Sequence, residues 1–425
     1  PPMNAKRLYL GICLGFCLTG YGATYYVDKA RPDDSGNGLS WDTAKRTIQA
    51  AVDAASASDT ILVRPGVYDE GTRISPDSYL YNRLVCTKNL TIESTDGAAT
   101  TIIMGARDAT DTSYQGTGAA AVRCVYMTVG TLKGFTLTGG ASGSETTDVI
   151  HCRGGGLYSP NASTPVLYDC IVSNNAARRG GGAYGGTFHR SLISGNYASQ
   201  NGAGVRFSRL YDSLIVFNKD SGAVAYSQST NDVVNCTIAR NTHRALEQAA
   251  ASNSILAENG TGTQGNYHII NSVVDFMPQA NYFTNCVITA NARFVDPANG
   301  NFRLLADSPA LDAGDPALFG WTTAPAGRTD FYGNSRIQGA QLDIGAIEGA
   351  YAGASVAATV SGSGSLAPSG THVLPTLPTQ LVFTATANSG AALRHFTVNG
   401  AKMPDSGDTF TLNITRPGGY TVQAV

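Results

Sequence analysis

The sequence predicts an all-β solenoid, a parallel β-helix followed by a small C-terminal β domain, on three observations. One heptapeptide recurs as DCIVSNN at 169–175, RSLISGN at 190–196, DSLIVFN at 212–218, NCTIARN at 235–241, NSILAEN at 253–259, NSVVDFM at 271–277 and NCVITAN at 285–291. The steps between copies are short, 21 residues from Cys170 to Ser191 and 14 from Ser272 to Cys286, which excludes repeats of paired helices. Charged residues make up only 14% of the chain and glycine reaches 49 residues, which suits stacked β coils.

Two rows within the heptapeptide are predicted to face the interior, because alternation along a strand sends every second side chain to the same face. The first row is uniformly small: Cys170, Ser191, Ser213, Cys236, Ser254, Ser272 and Cys286. The second row is uniformly aliphatic: Val172, Ile193, Ile215, Ile238, Leu256, Val274 and Ile288. Rows of constant size let each coil nest on the next without voids.

An asparagine row follows the predicted strand of each coil. Its members are Asn175, Asn196, Asn218, Asn241, Asn259 and Asn291, and Met277 interrupts it. Asparagine forms hydrogen bonds along a stack and tolerates turn geometry, so the row predicts a ladder at a corner of the coil.

A second strand is predicted in each early coil, led by glycines. The segments are RGGGLY at 153–158, RGGGAY at 179–184, NGAGVR at 201–206 and, more loosely, SGAVAY at 221–226. Glycine lets the chain bend where a side chain would clash.

An apolar row is left on the outside of the predicted heptapeptide strand. It consists of Ile171, Leu192, Leu214, Thr237, Ile255, Val273 and Val287. An apolar stripe of this length is too large to stay bare in a soluble protein. We therefore expect it to be covered by an excursion of the chain such as 141–152, by the C-terminal domain or by a partner molecule.

Both ends of the repeat region carry distinctive segments. Residues 25–70 contain DDSGNGLSW and RPGVY, while NFRLLADSPALDAGDP (301–316) and TDFYGNSRIQGAQLDIGAIE (329–348) follow the last repeat. Together with the repeats, these segments resemble the right-handed parallel β-helix proteins of bacterial cell surfaces, over roughly residues 25–348. The last two resemble the choice-of-anchor Q segment that closes many such helices, and the resemblance implies right-handed coils.

A helix is predicted within the opening stretch, capped by Asp42 or Thr43. Its apolar face consists of Ile48, Ala51, Val52 and Ala55. We expect this helix to be a lid over the first coil. At the other end, Arg336 and Asp343 within 329–348 predict an ion-paired cap.

Three regions are predicted: a signal peptide at 1–23, a β-helix with its caps at 24–350, and a small β-sandwich-like domain at 351–425. The tail contains short alternating strands separated by Gly, Pro and Asn turns. Its strand order resembles the divergent internalin-type B repeats of surface proteins.

The first residues have the pattern of a secretory signal peptide. Lys6 and Arg7 precede an apolar run at 8–18 that is too short to span a bilayer, and small residues follow. A secreted or bacterial cell-surface protein is therefore expected. A lipoprotein attached through Cys17 is the less favoured alternative, because Phe16 stands where that processing requires a small residue.

Six cysteines follow the predicted signal peptide. Cys170, Cys236 and Cys286 occupy one ladder on coils one, four and seven, about 14 Å apart at the strand spacing of a sheet. Disulfides need Cα atoms within about 7 Å, so these three are predicted to be buried thiols. Three others lie outside the ladder, and one bridge among them has no predictable pairing: Cys86, Cys124 and Cys152.

Several function classes find no support in the sequence. The net charge of −2 without a Lys/Arg block offers nothing to nucleic acid. GxSxG, HExxH, P-loop and CxxC motifs are absent from the sequence, so a hydrolase triad or zinc site has little support. No cofactor is predicted, although calcium is an option at four acidic pairs that more often serve turns and helix caps: Asp33/Asp34, Asp69/Glu70, Asp108/Asp111 and Asp312/Asp315.

The candidate glycan-binding residues are Arg153, Arg179, Tyr158, Tyr184, Arg206, His151 and His189. Arg153 and Arg179 occupy the same position in successive RGGG segments. The two tyrosines are likewise at equivalent positions, and Arg206 occupies the tyrosine position one coil later. Stacked arginine and tyrosine rows match an anionic polysaccharide, with guanidinium forks on uronate or sulfate and rings on sugar faces. The alternative is that these residues decorate turns for solubility and packing.

The first functional hypothesis is adhesion or glycan binding without catalysis, because the coils place few charged residues where a cleft would gather them. The alternative is a polysaccharide lyase acting on a uronate-containing glycan by β-elimination, which needs a cation and a base. A glycosidase with two carboxylates is less favoured. Convergence of Arg153, Arg179 and a Lys, His or Tyr with an acidic calcium cluster would favour the lyase, since this fold hosts both classes.

Overall fold

The computed structural model describes residues 22–111, 115–144, 150–161, 164–226, 232–265, 268–276, 282–319, 328–377, 379–404 and 406–425. Across these ranges the chain forms a right-handed parallel β-helix with an N-terminal capping helix and a small C-terminal β domain. Most coils pass through three sheets, here called sheets A, B and C in the order of the chain, and the described strands of the last two coils belong to sheets A and B. The predicted fold class is confirmed.

The strands of each sheet come from successive coils. Sheet A contains Thr24–Val27, Thr60–Val63, Thr91–Ser94, Gly130–Lys133, Pro165–Tyr168, Thr187–His189, Arg209–Tyr211, Val233–Val234, Ala251–Ser252, Ile269–Ile270 and Phe283–Thr284. Sheet B contains Gly66–Tyr68, Thr101–Met104, Thr136–Thr138, Ile171–Ser173, Leu192–Ser194, Leu214–Val216, Thr237–Ala239, Ile255–Ala257, Val273–Val274 and Val287–Ile288. Sheet C contains Arg73–Ile74, Tyr81–Cys86, Val122–Met127, Leu157–Tyr158, Ala183–Tyr184, Val205–Arg206, Val224–Ala225, Arg244–Glu247 and Thr261–Gln264. On two coils Ala176–Arg179 pairs with Tyr197–Asn201 in a short parallel ladder.

The heptapeptide forms the strands of sheet B, and its two interior rows face the core as predicted. The small row is at most 1% exposed from Cys170 to Ser272, and the aliphatic row is 0% exposed from Val172 to Val274. The final coil departs from the prediction, because its strand is the last of sheet B. There Ile288 is 49% exposed.

The asparagine row forms the predicted ladder from Asn175 to Asn259, whereas Asn291 stands outside it and accepts the Arg293 N–H with its own side chain. Asn175 Nδ2 donates to Asn196 Oδ1 at 3.0 Å, and Asn196 Nδ2 donates to Asn218 Oδ1 at 3.0 Å. The pattern continues to Asn241 at 2.9 Å and Asn259 at 2.8 Å. Each acceptor also receives the backbone N–H of the preceding asparagine. These bonds satisfy amides that are buried beside the core, where an unpaired group would be costly. Met277 lies outside the described residues.

The backbone conformation at the corner between sheets A and B explains why Asp or Asn is common at the first position of the heptapeptide. One residue per coil is left-handed there, with φ between 45° and 54°: Asp169, Arg190, Asp212, Asn235, Asn253, Asn271 and Asn285. Asp and Asn are the side chains that adopt this conformation most readily. Glycine is required at the entry to sheet C, where Gly154 has φ 63° and an added Cβ would lie 2.1 Å from the carbonyl oxygen of Leu157.

The N-terminal helix spans Ile48–Ala54, and its predicted apolar face is buried. The predicted cap at Asp42 or Thr43 is wrong. Thr47 is the N-cap and its hydroxyl accepts the Ala50 N–H at 3.2 Å. Residues 41–43 instead form a short 3-10 helix capped by Ser40, and the backbone at 44–46 turns before the α-helix begins.

The outer apolar row of sheet B is covered over its middle by the chain that follows the last coil, whereas Val287 at its end is 37% exposed. Leu214, Ile255 and Val273 are at most 3% exposed and pack against a cluster from that chain: Ala292, Phe294, Phe302, Leu304, Ala310, Ile344, Ala346 and Ile347. The Ala346 N–H also donates to Thr237 Oγ1 at 3.2 Å. The closing segment therefore lies along the side of the solenoid, where apolar surface was available, rather than over its end.

Residues 329–348 are ion-paired as predicted, but Arg336 pairs with Glu348 and with Asp212 from a coil rather than with the Asp343 carboxylate. Arg336 is 0% exposed, and its Nη1 lies 3.1 Å from Glu348 Oε1 while its Nε lies 3.6 Å from Asp212 Oδ1. The Asp343 carboxylate accepts the backbone N–H groups of Asp312 and Gly349. Burial raises the pKa of Glu348, an effect that the Arg336 guanidinium opposes. We call residues 328–348 the clasp.

The cysteines after residue 22 are free thiols: Cys86, Cys124, Cys152, Cys170, Cys236 and Cys286. Cys170 and Cys236 are buried as predicted, whereas Cys286 on the last coil is partly exposed. Burial raises the pKa of Cys124, Cys170 and Cys236 to about 12, so these thiols stay protonated.

The C-terminal domain consists of two small sheets around its own core. One sheet contains Ala354–Val360, Gly370–Leu374, Phe396–Val398, Ala401–Lys402 and Gly418–Ala424, and the other contains Gly364–Ala367, Thr379–Ala387 and Thr409–Ile414. Val356, Phe383 and Ile414 are 0% exposed. Ser355 Oγ donates to the Val295 carbonyl at 2.6 Å, which ties the domain to the solenoid. The domain boundaries stay a prediction, and the described helices are all too short or too polar to cross a membrane.

Candidate functional site

The candidate site lies on the outer face of sheet C, which we call the arginine–tyrosine face. The register places Tyr126, Tyr158, Tyr184 and Arg206 in one row on four successive coils. Arg153 and Arg179 are also register mates, through a parallel bridge at the entry to the sheet. The two rows predicted from the sequence therefore form, and they lie side by side because the RGGG segments repeat in register.

The tyrosines form a buried ladder. The ring centroids of Tyr126 and Tyr158 are 5.7 Å apart, and those of Tyr158 and Tyr184 are 5.8 Å apart, both edge to face. Tyr158 is 1% exposed and Tyr184 is 9% exposed. The expectation that these rings lie on sugar faces is therefore wrong, because each ring is covered by its neighbours and by guanidinium groups. The row supports the face instead of forming its surface.

Two guanidinium groups flank the same tyrosine. Arg153 Cζ lies 4.8 Å from the Tyr184 ring centroid, and Arg206 Cζ lies 5.8 Å from it. Arg206 is also 4.1 Å from the Tyr226 ring. Burial lowers the pKa of Arg206, and the nearby charges of Arg179 and Arg153 lower it further. Such crowding of like charges is unfavourable, and an anion on this face would relieve it.

Arg179 and Arg206 have hydrogen-bond partners but no salt bridge to a described carboxylate, although the charge of Glu247 acts on Arg206 at longer range. Arg179 Nε donates to Gln200 Oε1 at 2.8 Å, and Arg206 Nη1 donates to Asn201 Oδ1. No described carboxylate forms a salt bridge with Arg153, Arg179 or Arg206. The Nε atoms of Arg153 and Arg206 are buried without a described acceptor. Arginines such as Arg190 and Arg240 pair with carboxylates, Asp169 at 2.8 Å and Glu258 at 2.7 Å, so the positive charge of the arginine–tyrosine face is less compensated than theirs.

Arg123 belongs to the site and was missed by the sequence analysis. Its side chain is 0% exposed, and Cζ lies 4.8 Å from the Tyr158 ring centroid. Nε donates to the carbonyls of Arg153 and Gly154 at 2.8 and 3.0 Å, so Arg123 positions the backbone that carries Arg153. Burial lowers its pKa to about 10. A charged residue inside the apolar strand AVRCVYM was the available signal.

The two histidines of the predicted site lie apart from each other. His151 is 7% exposed and stacks on Tyr79 at 3.8 Å, close to the arginines, and its carbonyl accepts Arg123 Nη2 at 3.3 Å. His189 lies on sheet A and is therefore not part of the arginine–tyrosine face. The sequence prediction grouped His189 with Tyr184 because the two are close in the chain. A corner of the coil lies between them and places them on different sheets.

His189 is the middle ring of a second aromatic stack. Its centroid lies 4.8 Å from Tyr168 and 4.9 Å from Tyr211, with interplanar angles of 14° and 16°. Burial lowers the pKa of His189 to about 4, with Asp212 opposing and Arg328 and Arg190 adding to the effect.

This depressed pKa predicts acid sensitivity. As pH falls from about 6.5, the usual value, the unfolded chain binds a proton that folded His189 excludes, so the free energy of unfolding falls towards pH 4. His189→Phe keeps a stacking ring without the titration. The loss of melting temperature from about pH 7 to about pH 4.5 should therefore be smaller in the variant. An unchanged loss in both proteins would contradict the assignment.

The acidic pairs considered for calcium are engaged in local contacts. Asp34 accepts the Thr47 N–H and hydroxyl at 2.8 Å each, and Glu70 pairs with Arg46 at 3.0 Å. Asp108 accepts the Thr110 N–H, and Asp312 accepts the Gln341 N–H. Among the residues that the structure describes, no group of three or more His, Cys, Asp or Glu side chains is placed to hold a metal ion.

The chain matches no known family model and no curated protein. Solved structures that resemble it include a pectate lyase, at 15% identity over 77% of this chain and 97% of that chain, with a TM-score of 0.45. A rhamnogalacturonan lyase is similar at 14% identity over 62% and 73% of the two chains, with a TM-score of 0.31. A rice weevil pectin methyl esterase is similar at 11% identity over 58% and 79%, with a TM-score of 0.28.

Proposed function

We propose that this protein is exported, and that it binds an anionic, uronate-containing polysaccharide on the arginine–tyrosine face without chemistry of its own. The observation that carries the proposal is the arginine cluster around Tyr184, in which no arginine forms a salt bridge with a described carboxylate. Guanidinium forks pair with carboxylates in a bidentate geometry. The signal-peptide pattern at 1–23 and the resemblance of the ends and tail to bacterial surface modules support export and surface display.

The buried tyrosines support binding by holding the arginines in place. Arg153 and Arg206 rest on one ring, and Arg123 anchors the carbonyl of Arg153 from below. Side chains ordered before binding lose less conformational freedom when the ligand arrives. The face is thus suited to a long ligand whose carboxylates meet pre-positioned cations.

Elimination chemistry has less support, because it needs an accessible base. Tyr126 and Tyr158 are 3% and 1% exposed, and burial, reinforced by the Asp77 carboxylate, raises the pKa of both. They stay protonated at neutral pH and out of contact with a ligand. Arg123, with a pKa of about 10, stays cationic and buried. Of the convergence expected of a lyase, the arginines and the buried tyrosines come together, but the described residues provide no acidic metal cluster beside them.

The double variant Arg153→Ala/Arg206→Ala tests the proposal. Isothermal titration with polygalacturonate should show at least about tenfold weaker binding, because each hydrogen bond to a charged group contributes about 1.5–3 kcal/mol. Wild-type affinity should fall as salt is added. Neutral galactan should not bind, since it offers no carboxylate.

The matched control is Arg73→Ala/Arg240→Ala, which removes the same charge from half-exposed pairs with Asp53 and Glu258. This control should bind polygalacturonate like the wild type. If Arg153→Ala/Arg206→Ala binds polygalacturonate as tightly as the wild type, the proposed binding site is wrong. Ultraviolet-absorbing unsaturated sugars released by the wild-type protein would overturn the non-catalytic part of the proposal in favour of a lyase.

A further inference from the structure

A pocket lies where the clasp meets the start of the C-terminal domain. It has a volume of about 210 Å³ and is lined by Arg303, Tyr332, Asn334, Gln338 and the backbone around Tyr351. The pairing of this region is fixed, because the Tyr351 N–H donates to the Leu304 carbonyl at 2.7 Å. The pocket is on sheet B's side of the molecule, away from the arginine–tyrosine face.

The pocket carries one positive charge that the described residues do not neutralise. Arg303 Cζ lies 4.1 Å from the ring centroid of Tyr332, and no described carboxylate pairs with the guanidinium. Glu348 also borders the pocket, but its carboxylate is 1% exposed and lies 3.1 Å from Arg336. The charge of Arg303 is therefore free to meet an anion.

The other groups around Arg303 suit a hydroxylated ligand. The Gln338 amide and the hydroxyls of Tyr332 and Tyr351 have no hydrogen-bond partner among the described residues. Two tyrosines, an amide and an arginine provide donors, acceptors and apolar ring surface in one small space. The volume is below the 300–1,000 Å³ or so of sites for drug-sized molecules, so it accommodates one sugar ring rather than a chain.

We propose that this pocket binds a single acidic sugar residue, with its carboxylate on Arg303 and its hydroxyls on Gln338 and the tyrosines. The ligand is either a free uronic acid or the terminal residue of a uronate chain. This site does not depend on the proposed polysaccharide site, because the two share no residue. A ligand here would touch both the clasp and the segment that leads into the C-terminal domain.

The test titrates the full chain with free galacturonate and with trigalacturonate, using isothermal calorimetry. Arg303→Ala should weaken binding by about tenfold or more, and Gln338→Ala, an exposed position without a described partner, should weaken it less while leaving the fold intact. Arg240→Ala is the charge-matched control and should bind like the wild type. Circular dichroism and melting curves confirm that each variant is folded.

Each outcome decides the proposal. Loss of galacturonate binding in Arg303→Ala supports the site with free uronate as ligand, and loss confined to trigalacturonate supports it with a chain end. Arg153→Ala/Arg206→Ala should retain this Arg303-dependent binding, so failure of the polysaccharide site leaves this result unaffected. Uronate binding that is absent, equal in Arg303→Ala and wild type, or matched by neutral galactose would overturn the proposal.

Discussion

Ile238→Asn is expected to abolish cooperative folding of the solenoid at physiological temperature. Ile238 is 0% exposed and stacks between Ile215 and Leu256 in the aliphatic row. Loss of a buried isoleucine costs about 2–5 kcal/mol, and an amide without partners adds about 1–3 kcal/mol. The sum approaches the 5–15 kcal/mol or so that stabilises a typical domain. Circular dichroism and calorimetry should show no native melting transition, or one at a much lower temperature.

The same ladder supplies the matched control. Ile288→Asn makes the identical change on the last coil, where the side chain is 49% exposed. It should lower the melting temperature little, because an exposed amide keeps its bonds to water. Equal destabilisation of the two variants would mean that position in the aliphatic row, rather than burial of the side chain, determines the loss of stability. An unchanged melting temperature in Ile238→Asn would invalidate the inward assignment of the row.

Arg336→Met is expected to release the clasp while the coils stay folded. The substitution leaves the buried Glu348 carboxylate without its cation and leaves Asp212 paired with Arg328 alone, at 3.2 Å. Removing one partner of a buried ion pair costs about 3–5 kcal/mol. Burial already raises the pKa of Glu348, so the variant should recover stability at low pH, where that group binds a proton.

Release should expose the apolar outer row of sheet B, including Leu214 and Ile255. A dye that binds exposed apolar surface should then fluoresce with the variant, and limited proteolysis should cut first within 328–348. Arg240→Met is the control, since its pair with Glu258 is partly exposed and surface pairs contribute about 0–1 kcal/mol. Proteolysis and dye binding that match the wild type would show that apolar packing alone holds the clasp.

The interior of the solenoid was predictable from the sequence because its causes are local and repeated. Strand alternation assigned Cys170 and Val172 to the core, and stacking carried that assignment through successive coils. Asn196 and Asn218 were predicted in a ladder on the same ground. The exception is Ile288, where the pattern continues but the stack ends. A row shows which way a side chain points, but not whether another coil covers it.

The candidate site was predictable only in part. Register alone aligned Arg153 with Arg179 and Tyr184 with Arg206, since equal spacing of repeats sets equal positions in a sheet. The burial of Tyr184 was not predictable, because it depends on which rings and guanidinium groups fill the space around it. Arg123 was missed because an isolated arginine in an apolar strand has no repeat to reveal its role.

The sequence by itself determined the solenoid, its inward rows and the alignment of the arginines, because each follows from a two-residue alternation and a repeated heptapeptide. The tertiary structure alone decided what covers sheet B, since the bond from Ala346 to Thr237 joins positions 109 residues apart. It also decided that Asp212 completes the clasp and that His189 belongs to another face. Contacts between distant segments depend on the shape of the folded coils, and no local pattern in the chain encodes that shape.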